Sequence, residues 1–160
     1  MTTAPRLTLD LPDADATTRL GHALATLVGP GDCICLEGPL GAGKSHLARS
    51  VIQALQAPHR PPEDVPSPTY TLVQAYTAGP LDILHADLYR LGDASELAEL
   101  GLDDGFETAL TLIEWPDRLE DRVPRGALSL AFAMQDTGRS VTLSGWDASR
   151  LGTIEAAFRD

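Results

Sequence analysis

Gly38-Pro39-Leu40-Gly41-Ala42-Gly43-Lys44-Ser45 fits the pattern G-x-x-x-x-G-K-[ST], the phosphate-binding P-loop. The apolar stretch before it, Cys33–Glu37, predicts a short buried strand. After it, apolar residues recur with helical spacing at Leu47, Val51, Ile52 and Leu55. A strand, a glycine-rich turn and a helix form the context that this motif requires, so the octapeptide sets the expected fold.

Lys44 is the only lysine of the 160-residue chain, whereas arginine and histidine occur elsewhere. Its flexible stem carries a compact ammonium that can reach the outer phosphates of a nucleotide, and a broad guanidinium fits that space poorly. The glycines let backbone N–H groups converge on phosphate oxygens, and the helix start adds its positive dipole end. Ser45 places a hydroxyl where a P-loop usually offers a Mg²⁺ ligand. The motif therefore predicts a nucleoside triphosphate with Mg²⁺.

Polar residues at the ends of other apolar segments are candidates for the chemistry. Glu114 follows the predicted strand 110–113 and suits a Walker-B-like acid that holds Mg²⁺ directly, through water, or orients the attacking water. Asp87 ends a second apolar stretch and is a further Mg²⁺ contact or the group that positions water. Thr69 follows a proline-rich loop and resembles a switch threonine. Trp115 is either simple core or an aromatic beside the nucleotide.

The remaining histidines and arginines of interest give weaker signals. His46 adjoins Ser45 and is close to the expected phosphate site, while His85 is isolated. Both are expected to be structural or solvent-facing rather than catalytic. Three arginines cluster after Trp115 and form either a solvated helical face or a phosphate-stabilising lid or partner surface: Arg118, Arg122 and Arg125.

The length favours one domain over 1–160. The segments 67–76 and 81–89 suggest an antiparallel hairpin, and a second hairpin is predicted at about 127–145, before a tail over 146–160. Turns this short leave no room for crossover helices. We therefore expect an α/β, three-layer P-loop NTPase-like fold with a mixed parallel/antiparallel sheet. Further predicted elements are a strand over 7–11, a helix capped by Asp13 or Asp15, and a short helix over 94–100 closed by Gly101.

Composition narrows the function classes. The formal net charge of −11 argues against direct binding of nucleic acid, which selects for basic surfaces. No long apolar run or apolar signal core occurs, so no membrane association is expected. Cys33 and Cys35 point to one face of a strand, and we expect them to be buried and reduced, which fits the cytoplasm.

Five motifs in order carry a resemblance to a known family. The chain resembles the TsaE (YjeE) family, small bacterial P-loop ATPases needed for threonylcarbamoyladenosine modification of tRNA. The resemblance covers roughly residues 20 to 135. Its motifs are Gly38-Pro-Leu-Gly-Ala-Gly-Lys-Ser45, Ser67-Pro-Thr-Tyr-Thr-Leu72, His85-Ala-Asp-Leu-Tyr-Arg-Leu91, Glu96-Leu-Ala-Glu-Leu-Gly-Leu102 and Leu112-Ile-Glu-Trp-Pro116.

This resemblance implies a task, two cofactors and a set of roles. It implies an ATPase that is slow alone, requires Mg²⁺, and joins the transferase subunits TsaD and TsaB in modifying adenosine 37 of tRNA. By motif position, Thr69 is the switch threonine, Asp87 and Glu114 are the functional acids, and Trp115 lies near the nucleotide. The residues expected to bind ATP and Mg²⁺ at the loop are Leu40, Gly41, Ala42, Gly43, Lys44, Ser45 and His46.

The chain departs from the family pattern at three positions. Pro39 stands where the family often has Asp, and His46 where it often has a second hydroxyl residue. Ala86 replaces the usual aromatic residue before Asp87, which is expected to loosen local packing while leaving the acid in place.

Two other function classes also use a P-loop. A small-molecule kinase would close an arginine-bearing lid over the phosphates, for which Arg118 to Arg125 are candidates. A GTP-dependent switch usually reads guanine with an Asn-Lys-x-Asp or Thr-Lys-x-Asp segment. The chain contains no asparagine, and its single lysine already belongs to the P-loop, so this class lacks its recognition motif.

Overall fold

A seven-stranded sheet forms the centre of the computed structural model, which describes residues 4–39, 41–61, 63–68 and 71–159. The strands are β1 (Arg6–Leu11), β2 (Cys33–Glu37), β3 (Val73–Ala78), β4 (Leu81–Asp87), β5 (Leu110–Glu114), β6 (Leu128–Gln135) and β7 (Gly138–Ser144). The helices are α1 (Ala14–Ala25), α2 (Lys44–Gln56), α3 (Leu97–Leu100), α4 (Leu102–Thr108) and α5 (Ala148–Arg159). No helix in the described ranges is long and apolar enough to cross a membrane.

The strand order is β1-β7-β6-β2-β5-β4-β3, and the sheet is mixed. The strand before the P-loop, β2, lies in the centre and runs parallel to both β5 and β6, and β4 runs parallel to β5. The pairs β1–β7, β6–β7 and β3–β4 are antiparallel. Two-residue connections join β3 to β4 and β6 to β7, which is too short for a crossover. The predicted mixed α/β fold is confirmed.

Successive side chains of β2 point to opposite faces of the sheet and belong to two different core clusters. Ile34 and Leu36 belong to the cluster formed with α1, α2 and α5. Cys33 and Cys35 face the opposite side, where they pack against residues around α4 and the loops near β4 and β5. The two thiols are buried and free, with their sulfur atoms 3.9 Å apart, as expected from their spacing. The sheet is thus the middle of three layers.

Several local predictions need correction. The segment expected as one short helix over 94–100 is a 3₁₀ turn, Ala94–Glu96, followed by the single turn α3. Gly101 has a φ of 78° and ends α3, but the chain enters α4 at once instead of leaving the helical region. Residues 116–122 form 3₁₀ turns broken by Glu120, whose φ is 56°, and not a helical face.

The C-terminal tail, for which no element is predicted from sequence, carries the helix α5. Leu151, Ile154 and Phe158 of α5 are buried against the first cluster at helical spacing. Asp147 caps the start, since its Oδ1 accepts a hydrogen bond of 2.8 Å from the Arg150 N–H. At the other end of the chain, Asp13 caps α1 by accepting from the Ala16 N–H at 2.8 Å, so of the two predicted caps the structure has Asp13 and not Asp15.

Close packing of α1 on α2 gives a stability prediction. A Cβ at Gly21 would lie 2.5 Å from Ser50 Cβ and 3.2 Å from the Val51 backbone nitrogen, so Gly21→Ala forces the helices apart. We expect a loss of about 1–3 kcal/mol in the free energy of unfolding, measured by urea denaturation. Gly152→Ala on α5 is the matched control. In the described part of the chain, its Cβ would meet no atom within 4 Å apart from its own helix backbone, and the variant should gain up to about 1 kcal/mol. Equal effects of the two substitutions would contradict the packing described.

Candidate nucleotide-binding site

The P-loop connects the end of β2 to the first residue of α2. Gly38 has a φ of 137°, and a Cβ there would lie 2.8 Å from the Phe132 carbonyl oxygen, so only glycine fits. Gly43, with a φ of 105°, precedes α2 and supplies no side-chain cap. The first amides of α2 are therefore not capped by the residue before the helix, and together with the positive end of the helix dipole they suit an anion.

The Lys44 side chain lies folded against its own loop. Its Nζ donates a hydrogen bond of 2.6 Å to the Gly38 carbonyl and lies 3.7 Å from the centroid of the Trp115 ring. Only 4% of the residue is exposed. Burial lowers the pKa of the Lys44 ammonium below its ordinary value, although the nearby carboxylates of Glu114 and Asp87 oppose this shift. A buried ammonium that donates to a single carbonyl among the described residues suits a site that receives further anionic oxygens.

Glu114 links the P-loop to the neighbouring strands. Its Oε1 accepts a hydrogen bond of 2.8 Å from Ser45 Oγ at the start of α2. Its Oε2 lies 2.7 Å from Nε2 of His85, which is fully buried on β4. Since a carboxylate oxygen accepts, we assign the proton to Nε2. Both oxygens of this buried acid are thereby fixed in position beside the loop hydroxyl.

Asp87 occupies the matching position on the next strand. It pairs in register with Glu114 because β4 and β5 are parallel and end together. Its Oδ2 accepts from Ser67 Oγ at 3.3 Å, and its Oδ1 accepts from the Tyr89 N–H at 3.1 Å. Carboxylate and hydroxyl oxygens are ligands that Mg²⁺ prefers, with water and substrate phosphates completing its shell. In the part of the chain that the structure describes, no three acidic, His or Cys residues form a metal site of their own, so phosphate oxygens and water would have to complete it.

The buried pair of His85 and Glu114 is expected to contribute to the stability of the fold. His85→Leu leaves Glu114 Oε2 without its ring N–H donor, and we expect it to lower the free energy of unfolding by about 1–3 kcal/mol. His85→Gln keeps an N–H donor and should lose less free energy of unfolding than His85→Leu. Urea denaturation of the wild type and the two variants checks this order of stability. Equal stability of the Leu and Gln variants would show that the hydrogen bond is dispensable.

Trp115 forms one wall of the site. Its backbone conformation is rare for an aromatic residue. Its φ of 61° and ψ of 55° lie in the left-handed region. This turn places the ring over Lys44 and 4.9 Å from the ring of Tyr89, which is 45% exposed. Strain of this kind is tolerated where the surroundings impose it, as at a ligand site.

These groups line a cavity of about 430 Å³, a size that suits a small ligand. Of the residues predicted from sequence, the cavity brings together Gly41, Gly43, Lys44, Ser45, His46, Asp87, Glu114 and Trp115. Ala42 is buried in the core, and its N–H donates to the Pro39 carbonyl at 3.2 Å. Leu40 and Thr69 lie outside the described residues. Four lining residues were not predicted: Ala14, Thr17, Ser67 and Arg139.

The structure places His46 at the cavity wall, close to the loop as expected, but not the predicted arginine cluster. The Nε2 of His46 lies 2.8 Å from Thr18 Oγ1, so α1 holds this ring at the cavity wall. The predicted arginine cluster does not line the cavity. Arg118 donates to the Leu91 carbonyl at 3.4 Å, and Arg122 lies 4.0 Å from Asp103. The arginine that lines it is Arg139, on β7.

A central parallel strand, a glycine-rich turn and a helix that begins at a buried lysine define a protein of the P-loop class. The family model described as "Threonylcarbamoyl adenosine biosynthesis protein TsaE" matches residues 11–141. The chain belongs to this TsaE family.

Curated relatives carry the name of this family and match most of the chain. The tRNA threonylcarbamoyladenosine biosynthesis protein TsaE of Rickettsia felis is 36% identical over 152 residues, which is 93% of this chain and 87% of that protein. The protein of the same name from Bacillus subtilis is 33% identical over 132 residues, covering 81% and 80% of the two chains. The crystal structure of Bacillus subtilis YdiB superposes with a TM-score of 0.75 at 22% identity, over 99% of this chain and 98% of that one, and so shares the fold.

Proposed function

We propose that the protein is a Mg²⁺-dependent ATPase that supports threonylcarbamoylation of adenosine 37 of tRNA. The observation that carries this proposal is the hydrogen bond between Ser45 Oγ and Glu114 Oε1, beside the buried ammonium of Lys44. It places a hydroxyl, a carboxylate and a cation together at the start of a helix, which is the arrangement that phosphoryl-transfer sites use.

Each group has a role that follows from its chemistry. Lys44 and the loop amides hold the phosphates, and the Trp115 ring packs against the lysine ammonium. Ser45, Glu114 and Asp87 would hold Mg²⁺, which neutralises charge on the phosphates when bound. His85 fixes the orientation of Glu114 and is a positioning residue. Thr69 remains the proposed switch threonine that contacts the metal or the terminal phosphate.

The proposed partners are the transferase subunits TsaD and TsaB in the cytoplasm, with tRNA reached through that complex. The net charge of −11 supports this indirect route, because an acidic surface repels a phosphate backbone. Membership of the TsaE family supports the pathway. The kinase alternative is not favoured, since the arginines that would form its lid do not line the cavity.

An ATPase assay with and without purified TsaD and TsaB tests the proposal. We expect weak phosphate release by the protein alone, a rise on adding both subunits, and repeated rounds of tRNA modification only when all three proteins and ATP are present. Phosphorylated metabolite formed in proportion to ATP consumed would favour a kinase instead. Absence of triphosphate binding would rule out both activities.

A further inference from the structure

Arg139 reaches the P-loop from a distant part of the chain. It lies near the start of β7, where it pairs with Leu11 of β1 and Met134 of β6. Its Nε and Nη2 donate hydrogen bonds of 3.2 and 2.7 Å to the same acceptor, the Gly41 carbonyl, 98 residues earlier in the sequence. The C-terminal hairpin thus supplies a side chain to the loop that the motif alone does not contain.

The charge of Arg139 has no carboxylate partner in the part of the chain that the structure describes. Within the described residues no Asp or Glu oxygen lies within 4.0 Å of its guanidinium, although Arg60, Arg122, Arg150 and Arg159 each have one. Besides Lys44, it is the one lysine or arginine among the described residues that line the cavity. A guanidinium bonded only to a neutral carbonyl gains more from a phosphate, whose oxygens match its planar fork and carry charge.

The position of Arg139 indicates which phosphates it meets. It contacts Gly41, and its Cδ would be 3.9 Å from a Cβ at Gly43, on the loop side of the cavity. Ser45 and Glu114, which would hold Mg²⁺, hydrogen-bond to each other, and Asp87 pairs in register with Glu114. Within the described residues, the guanidinium of Arg139 forms no ion pair with either carboxylate.

We propose that Arg139 exchanges the Gly41 carbonyl for the phosphates nearest the nucleoside, and so acts as a second cation that binds the diphosphate portion of ATP. This inference rests on the proposed function. It predicts that Arg139 affects ADP and ATP equally, because the terminal phosphate lies with the metal-holding groups.

Isothermal titration with ADP and with a non-hydrolysable ATP analogue, each with Mg²⁺, tests the proposal on the full chain. Arg139→Gln keeps an N–H donor for the Gly41 carbonyl but removes the charge, and we expect both nucleotides to bind about 10- to 100-fold more weakly. Arg139→Lys keeps the charge and should lose less nucleotide affinity than Arg139→Gln. Arg159→Gln, which removes the same charge from the exposed end of α5, is the matched control and should bind as wild type.

Two results would overturn the inference while leaving the proposed function intact. Wild-type affinity of Arg139→Gln would mean that the side chain only holds the loop carbonyl. A loss confined to the ATP analogue would place the guanidinium at the terminal phosphate. If instead the wild-type protein binds neither nucleotide, the proposed function itself fails. A salt series gives a second readout, because loss of the cation should make the affinities of Arg139→Gln less sensitive to ionic strength than those of wild type.

Discussion

Replacing Lys44 by alanine is expected to weaken binding of a non-hydrolysable ATP analogue by about 100-fold or more and to abolish hydrolysis. The ammonium is buried, lies within the phosphate-binding loop, and is the chain's only primary amine side chain. Its loss leaves the negative charge that develops in phosphoryl transfer without its main side-chain donor, and removing such donors costs about 10²–10³ in rate. Isothermal titration and a phosphate-release assay measure the two effects.

Lys44→Arg separates charge from shape. The broad guanidinium cannot occupy the space between the Gly38 carbonyl and the Trp115 ring, so this variant should also lose most of its activity although it keeps the charge. Urea denaturation checks that each variant is folded. Wild-type binding and turnover by Lys44→Ala would remove the basis for a phosphate site at this loop.

Substitution of Glu114 by glutamine is expected to reduce the ATPase turnover number by about 10²–10³ with little change in ADP affinity in the absence of Mg²⁺. Glutamine matches the size of the side chain but cannot supply the negative charge that would hold Mg²⁺ beside Ser45. The concentration of Mg²⁺ needed for half-maximal activity should rise. Steady-state kinetics over a Mg²⁺ series measures both quantities.

Glu107→Gln provides the control for the loss of one negative charge, since this acid is exposed on α4 and does not line the cavity. It should keep the wild-type turnover number and Mg²⁺ dependence. If Glu114→Gln behaved in the same way, Glu114 would be a structural partner of His85 and not a metal-holding acid.

The parts of the site that were predictable depend on local patterns. The strand, loop and helix from Cys33 to Gln56 are contiguous, and their apolar spacing and glycines are visible without knowing the rest of the fold. Asp87 and Glu114 were predictable from one further rule, that parallel strands end at the same edge of a sheet. Outside the site, the helix α5 was also predictable, because Leu151, Ile154 and Phe158 follow helical spacing after the cap Asp147.

The remaining parts depend on register and packing. His85 meets Glu114, 29 residues later, only because of how β4 aligns with β5, so its sequence neighbours give no sign of the contact. Arg139 belongs to an ordinary hairpin strand, and its place beside Gly41 follows from the packing of that hairpin on the loop. The conformation of Trp115, with a φ of 61°, likewise results from tertiary constraints that no propensity reveals.

A crystal structure of the wild-type protein with a non-hydrolysable ATP analogue and Mg²⁺ tests the central claim most directly. We predict phosphates in the P-loop, the Lys44 amine moved from the Gly38 carbonyl onto phosphate oxygens, and Mg²⁺ beside Ser45 and Glu114. A nucleotide bound elsewhere, or a P-loop that stays empty at saturating nucleotide with Lys44 still on Gly38, would contradict it.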